Sequence, residues 1–295
     1  MNSHVEPGML GAHTTAELRG DYSRARPDFS VEQSWHHYSE NEHALWRRLW
    51  QRQSQLVRDY ACAEFIQGLK LIETLERIPD LERISDQLEQ RSGWRLVAVP
   101  GFIPDAAFFE HIANRRFPVT VWLRKPEEFD YLVEPDIFHD FFGHVPMLAQ
   151  PEFAEYVHRF GRQGLAAIKQ GALPFMARLY WFTVEFGLMR TTQGLRAYGA
   201  GILSSPGETV YAIEDQRPRR VRFALERCMR TQYRIDDFQQ TYFVVDSLQE
   251  LVQEMSGDLS PVLKRLPALP AFAPDRSYPG DELIAPAPAR AAAQP

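Results

Sequence analysis

Cysteine is almost missing from this chain. Cys62 and Cys228 are the only two in 295 residues. They lie far apart in helix-like sequence and cannot form the framework of a small disulfide-stapled secreted domain. Long apolar runs are missing as well, and nothing approaches the ~20 residues a helix needs to cross a bilayer. Residues 1–22 have neither a basic start nor an apolar centre, so they do not read as a secretory signal. The expected compartment is the cytoplasm. There is no basic cluster either, and a net charge of −6 argues against a nucleic-acid partner. Internal repeats are absent. No Ser-His-Asp or Cys-His arrangement stands out, so nucleophilic catalysis has no obvious candidate.

What the chain does have is core-forming material. It is 44% hydrophobic, with 19 Phe and 6 Trp, enough for one large aromatic-rich core near the upper size of a single domain. The expected fold is mainly α with minor β (α+β). Residues 1–30 lack periodicity and read as a flexible tail, residues 31–266 as a single helical catalytic domain, and residues 267–295, rich in Pro and Ala, as a disordered tail. Ser39 with Glu42 makes a capping box ahead of one long helical pattern running from Leu45 to Ile72. Residues 80–90 read as a helix closed by Gly93, 94–99 as a strand, 105–114 as a helix and 118–123 as a strand. Residues 151–170 and 173–189 read as helices, 195–203 and 241–245 as strands, and 246–266 as a closing amphipathic helix.

On the helix expected over residues 173–189, the neighbours of Glu185 at three and four residues are Trp181, Phe182, Leu188 and Met189. The glutamate therefore sits in an apolar stripe, where an ionised carboxylate requires a positive partner. That partner is an arginine or a metal ion. Upstream, Asp136-Ile137-Phe138-His139-Asp140-Phe141-Phe142-Gly143-His144 places two histidines five apart. On a regular helix they point about 140° apart, but a helix ending at Gly143 lets His144 turn back toward His139. Alone, two histidines among aromatics read as core. Beside the lone carboxylate they read as a metal site: two imidazoles and one carboxylate form the facial triad of non-haem iron(II), with coordination positions left open. The same set serves catalytic zinc, though the spacing differs from His-Glu-x-x-His peptidases and no adjacent glutamate offers a base. A helical interaction protein with a His-Glu core is the third alternative. His158 is a spare ligand candidate.

These blocks, together with Tyr180-Trp181-Phe182-Thr183-Val184-Glu185-Phe186-Gly187 and Tyr198-Gly199-Ala200-Gly201-Ile202-Leu203-Ser204-Ser205, resemble the tetrahydropterin-dependent aromatic amino acid hydroxylases over roughly residues 34–251. The resemblance implies an enzyme that uses Fe(2+), a tetrahydropterin and O2 to convert L-phenylalanine to L-tyrosine. Hydroxylation of tyrosine or tryptophan is the alternative within the family, and a His2Glu zinc hydrolase the alternative outside it. Trp181 favours phenylalanine over tryptophan.

By the same resemblance His139, His144 and Glu185 bind the iron. Val99, Gly101, Phe102, Ile103, Asp105, Phe108, Asp140 and Ala177 line the pterin. Phe108 stacks on its ring, and backbone near Gly101 and Ile103 bonds its edge. Arg124 clamps the substrate carboxylate, and Tyr131, Leu132, His139, Trp181, Ser204, Ser205 and Glu208 line or support the amino acid site, with Tyr180 in a supporting role. Read without the family, Phe102 and Phe108 are core, Arg124 is a solvated strand end, Asp140 and Glu208 are exposed helix positions and the serines form a plain turn. The chain departs from animal members at Leu132-Val133, where they carry Thr-Pro, and at Pro206. It has no room for a regulatory domain and nothing like a tetramerising helix, so a monomer is expected.

Overall fold

In the computed structural model, which describes residues 18–72, 76–132 and 134–288, the capping box opens the first helix. Ser39 Oγ accepts from the Glu42 amide while the Glu42 carboxylate accepts from the Ser39 amide. This helix, α1 (Glu40–Leu56), buries Leu45, Trp46, Leu49 and Trp50. The apolar period continues to Ile72, yet the helix does not. It tightens at Val57–Asp59 and restarts as α2 (Ala63–Leu71). The break frees the Cys62 amide to bond Ala197 O (2.9 Å) and Tyr60 O to accept from Ala197 N (2.8 Å). Periodicity reports the buried face but is blind to a backbone bond made to a distant strand.

The next elements follow expectation. Asp80 caps α3 (Leu81–Ser92), and Gly93 ends it in the left-handed region at φ 75°. Strand β1 (Arg95–Val99), helix α4 (Asp105–Ala113) and strand β2 (Arg116–Thr120) form a βαβ unit with β1 and β2 parallel. A short α5 (Val145–Leu148) leads to α6 (Pro151–Lys169), the central helix, whose Phe153, Tyr156, Val157 and Phe160 are buried. Next comes α7 (Leu173–Tyr180). The stretch over 195–203 is half strand and half helix: β3 (Gly187–Thr191) and β4 (Gly194–Ala197) form a hairpin, followed by α8 (Ala200–Leu203) and α9 (Pro206–Glu214). Strand β5 (Arg219–Arg222), α10 (Leu225–Arg230) and β6 (Thr241–Val245) complete a mixed sheet of order β4-β3-β6-β5.

The closing helix is also divided, into α11 (Leu248–Glu254) and α12 (Ser260–Arg265). Ser256-Gly257-Asp258 interrupts it, with Asp258 accepting from the Ser260 amide (2.9 Å). The expected tails are shorter than composition suggested. Residues 18–30 pack onto the body: Tyr22 donates to Phe102 O (2.8 Å), and His111 Nε2 lies 2.8 Å from Asp28 O. At the other end, Ile284 N bonds Arg220 O, Ala287 N bonds Ile213 O, and Asp281 pairs with Arg227 at 2.8 Å. An extended Pro-rich strand needs no core of its own when it can satisfy its amides along an existing sheet edge. Residues 1–17 and 289–295, the outer parts of both expected tails, and Val133 lie outside the described residues.

Candidate metal centre

Two π turns build the site. The first spans His139–His144 and runs on into α5. A π turn closes i to i+5, so residues five apart return to one side. This replaces the expected mechanism, in which Gly143 ended the helix. Gly143 sits inside the turn for a different reason: a Cβ there would lie 2.9 Å from Ala200 Cβ and 3.0 Å from Ala200 O. Its bare backbone lets α8 come close. Pro146 falls in the first turn of α5, where a missing N–H costs nothing.

The second π turn, Trp181–Glu185, extends α7 and closes with Phe186 N on Trp181 O (2.8 Å). The chain then enters β3, so Leu188 and Met189 are strand residues and not helical neighbours of Glu185. Glu185 is buried all the same, 8% exposed. A Cβ on Gly199 would lie 2.4 Å from Glu185 O, so the glycine of the Tyr198-Gly199-Ala200-Gly201 block lets that segment lie against the ligand's own backbone.

These turns bring the three donors together. His144 Nε2 is 3.2 Å from Glu185 Oε1, and His139 Nε2 is 3.5 Å from Glu185 Oε2. The imidazole rings are 5.4 Å apart at 79°, and all donor atoms lie within 4.8 Å of one another. Among the described residues no other group of three His, Cys, Asp or Glu is arranged to hold an ion. His158 is not part of it. Burial raises the cost of ionising Glu185, but the two imidazoles outweigh that and hold its carboxyl below the usual range. Two nitrogens and a carboxylate that is readily ionised are a fitting donor set for iron(II).

Ser204, assigned to the substrate side from sequence, also touches a metal-ligand candidate. Its Oγ lies 2.8 Å from His139 Nδ1, which fixes the ring and directs Nε2 at Glu185. Ser204→Ala is expected to leave the fold intact and weaken iron binding about 10- to 100-fold, read by iron titration of apo protein alongside circular dichroism.

Phe117 packs on His144 with ring centroids 4.8 Å apart. Phe108 is buried and meets the Tyr180 ring edge-on at 5.4 Å, and Tyr180 in turn lies 6.5 Å from His144 and close to parallel with it. Burial, then the Glu185 charge, pushes the Tyr180 phenol well above its ordinary range, so it stays protonated. Ala177 is buried one helical turn before Tyr180–Trp181. The loop after β1 is tethered at both ends: Val99 O accepts from Val121 N (3.1 Å), and Phe102 O accepts from Tyr22. Ile103 is buried and Asp105 opens α4.

Gly101 has φ 153°, and a Cβ there would lie 2.9 Å from Tyr22 Oη and 3.0 Å from Glu134 Oε1. That Glu134 oxygen is buried and has no hydrogen-bond partner. Burial raises its carboxyl pKa. A waiting acceptor beside a bare loop backbone and an aromatic ring suits a flat heterocycle with N–H donors on its edge. Asp140 accepts from Thr120 N (2.8 Å) and is half-buried, not a free surface carboxylate. Tyr22 and Glu134 were not picked out from sequence as site residues. Glu134 stands two residues before the Asp136–His144 block, whereas Tyr22 belongs to a stretch with no local signal.

Arg124 is no solvated strand end. It is 6% exposed and gives Nε (2.8 Å) and Nη2 (2.9 Å) to Asp136. Asp136 occupies the Nε–Nη2 edge of the fork. Trp181 is half-buried on the second π turn. Ser205 caps α9 by accepting from Glu208 N (3.3 Å). Leu132 is half-buried, while Tyr131 stands 63% exposed on the preceding loop, away from the buried cluster.

Glu208 is buried, accepting from Tyr242 Oη and Gln239 N (3.1 Å). Burial pushes its carboxyl up to about 7 from 4.5. The folded state then binds a proton that the unfolded chain has released, so stability falls as pH rises from about 4.5 to 7. At ~1.4 kcal/mol per unit the loss is about 3 kcal/mol. Glu208→Gln is expected to flatten that part of the stability–pH curve in urea titrations, with stability above pH 7 raised.

Comparison with known proteins agrees with this geometry. The model of the biopterin-dependent aromatic amino acid hydroxylase family matches residues 22–266. The phenylalanine-4-hydroxylase of Ralstonia nicotianae is 49% identical over 265 residues, covering 90% of this chain and 85% of that one. Two crystal structures of Chromobacterium violaceum phenylalanine hydroxylase superpose at TM-score 0.85. One, with bound iron(III) and oxidised 7,8-dihydrobiopterin, is 48% identical and covers 88% of this chain and 94% of its own. The other, with iron and phenylalanine, is 47% identical and covers 88% and 96%. With its family signature spanning both π turns and the loop between β1 and α4, the chain belongs to the biopterin-dependent aromatic amino acid hydroxylases.

Proposed function

We propose that this chain is an iron- and tetrahydropterin-dependent monooxygenase that hydroxylates L-phenylalanine to L-tyrosine. The observation that carries the reading is the convergence of His139, His144 and Glu185 in a buried aromatic pocket, in a chain about half identical to phenylalanine-4-hydroxylases. The relatives' names and the iron- and phenylalanine-bound neighbour favour phenylalanine over tyrosine or tryptophan, and iron chemistry over zinc hydrolysis.

When bound, iron(II) and the reduced pterin together activate O2, one oxygen atom going to the phenylalanine ring and the other to the pterin, giving L-tyrosine and a hydroxylated pterin. The chain's own part is to hold and orient. His139, His144 and Glu185 would hold the metal. Phe108, the Gly101 backbone, Glu134 and Asp140 receive the pterin. Arg124, braced by Asp136, takes the substrate carboxylate and so fixes where the ring lies. Trp181 walls the ring, and the packed shell of Phe108, Phe117 and Tyr180 keeps water out. Tyr180 supports this wall as a neutral phenol.

The proposal includes a monomer in the cytoplasm. Both cysteines are free and buried, as suits a reducing compartment. Apo protein given iron(II), a tetrahydropterin, O2 and phenylalanine should form tyrosine, with zinc unable to replace iron. Absence of tyrosine from folded, iron-loaded protein ends the reading.

A further inference from the structure

Behind Trp181 lies a buried polar connection that the reaction itself does not use. The indole Nε1 donates to Gln239 Oε1 at 2.9 Å. Gln239 is 4% exposed and sits in the segment between α10 and β6. Its amide has one workable orientation, because Nε2 faces Arg234 O at 2.9 Å and Asp237 O at 3.4 Å. The amide oxygen is therefore committed to the indole. The Gln239 backbone is pinned in turn, its N–H donating to Glu208, which Tyr242 also holds. Glu208 lies in the first turn of α9, whose cap is Ser205, next to the Ser204 that orients His139.

The same segment supplies Tyr233, stacked on the indole at 4.3 Å and 14°, while Phe186 covers Trp181 from another side at 4.7 Å. Phe186 comes from the second π turn's own exit, so among these contacts only the 233–239 segment reaches the indole from outside the metal-bearing helix. Trp181 lies four residues before Glu185, on the turn that carries the metal ligand. Trp181 continues α7, with its amide on Ala177 O and Arg178 O, so the preceding turn sets its backbone, and the bond at the far edge of the indole sets the tilt of the ring. Losing the bond leaves a buried N–H and a buried C=O unpaired, a state that favours tilting of the ring.

We propose that Gln239 is a positioning residue for Trp181, and that the segment 233–239 thereby sets the width of the aromatic pocket and its preference for a single-ring amino acid. This rests on the monooxygenase reading above. Gln239 touches neither metal nor substrate, and acts through the indole.

The test is a mutant cycle on iron-loaded enzyme. Gln239→Met removes the acceptor and is expected to raise KM for phenylalanine about tenfold while kcat changes less than threefold. The dissociation constant of phenylalanine should rise in parallel by calorimetry, and the preference for phenylalanine over tryptophan should fall about tenfold. KM for the pterin and iron content should not move. In a Trp181→Phe background, which has no N–H to accept, adding Gln239→Met should change phenylalanine binding by less than twofold. Gln239→Asn, which withdraws the same amide by one methylene, serves if the methionine variant does not fold, and should shift KM in the same direction. Additive effects in the double variant, or a wild-type substrate preference in either Gln239 variant, overturn the proposal while leaving the monooxygenase reading standing. Failure of the wild type to make tyrosine removes both.

Discussion

Glu185→Gln is expected to abolish iron binding and tyrosine formation while leaving the apo protein folded but somewhat less stable at neutral pH. The neutral amide keeps the shape of the carboxylate and removes its desolvation cost, but it also gives up the attraction of the two imidazoles, which outweighs that cost. It also removes the one anionic donor facing His139 and His144 at 3.5 and 3.2 Å. Loss of a direct ligand should exceed the ~10- to 100-fold cost of losing a ligand's supporting partner. The iron result separates the readings. A helical interaction protein with a His-Glu core loses that stability and nothing else. Iron titration and urea denaturation of the same variant decide it, and unimpaired iron affinity would falsify the ligand role.

Asp136→Ala should produce the largest loss of stability. The aspartate is fully buried and accepts four hydrogen bonds: from Arg124 N (2.9 Å), Nε (2.8 Å) and Nη2 (2.9 Å), and from His139 N (3.0 Å). Removing it strands the guanidinium, 6% exposed over the Phe138 ring, without its counter-charge. Breaking a buried pair from one side costs about 3–5 kcal/mol, whereas replacing both partners by apolar groups is often close to neutral. The double variant Arg124→Leu with Asp136→Leu should therefore recover much of the lost stability yet bind phenylalanine poorly, since no fork remains for its carboxylate. The denaturant midpoint of the apo forms gives the first result, and calorimetry with phenylalanine gives the second. A loss below about 1 kcal/mol for the single variant would mean the pair is wetter than its burial indicates.

How far the sequence can be read differs from element to element. The capping box at Ser39, the Gly93 stop and the strand over 241–245 are local devices, and each appears where expected. Glu185 was legible for half a reason. Its burial is real, but Leu188 and Met189 reach the core as strand residues, because the helix opens into a π turn and then stops. The histidine pair was legible as a metal candidate, yet the way the two meet was not. An α-helical period cannot show an i to i+5 turn, which adds one residue to the turn without altering composition. Arg124 beside Lys125 looks like a solvated end by local pattern. Its burial depends on Asp136, twelve residues on, and on β2 leading the chain inward.

The chain's own residues determined the ligand types, their order, the family and the aromatic weight of the core, because these depend on side-chain chemistry and short-range pattern. Only the packed molecule decided that Ser204 meets His139, that one oxygen of Glu134, Oε1, waits unpaired beside Gly101, that Gln239 holds Trp181, and that residues 18–30 and 267–288 pack onto the body. Each of those contacts joins positions tens to more than a hundred residues apart. Such a partner is selected by which donor or acceptor burial has left without water, and that selection does not exist until the chain has folded.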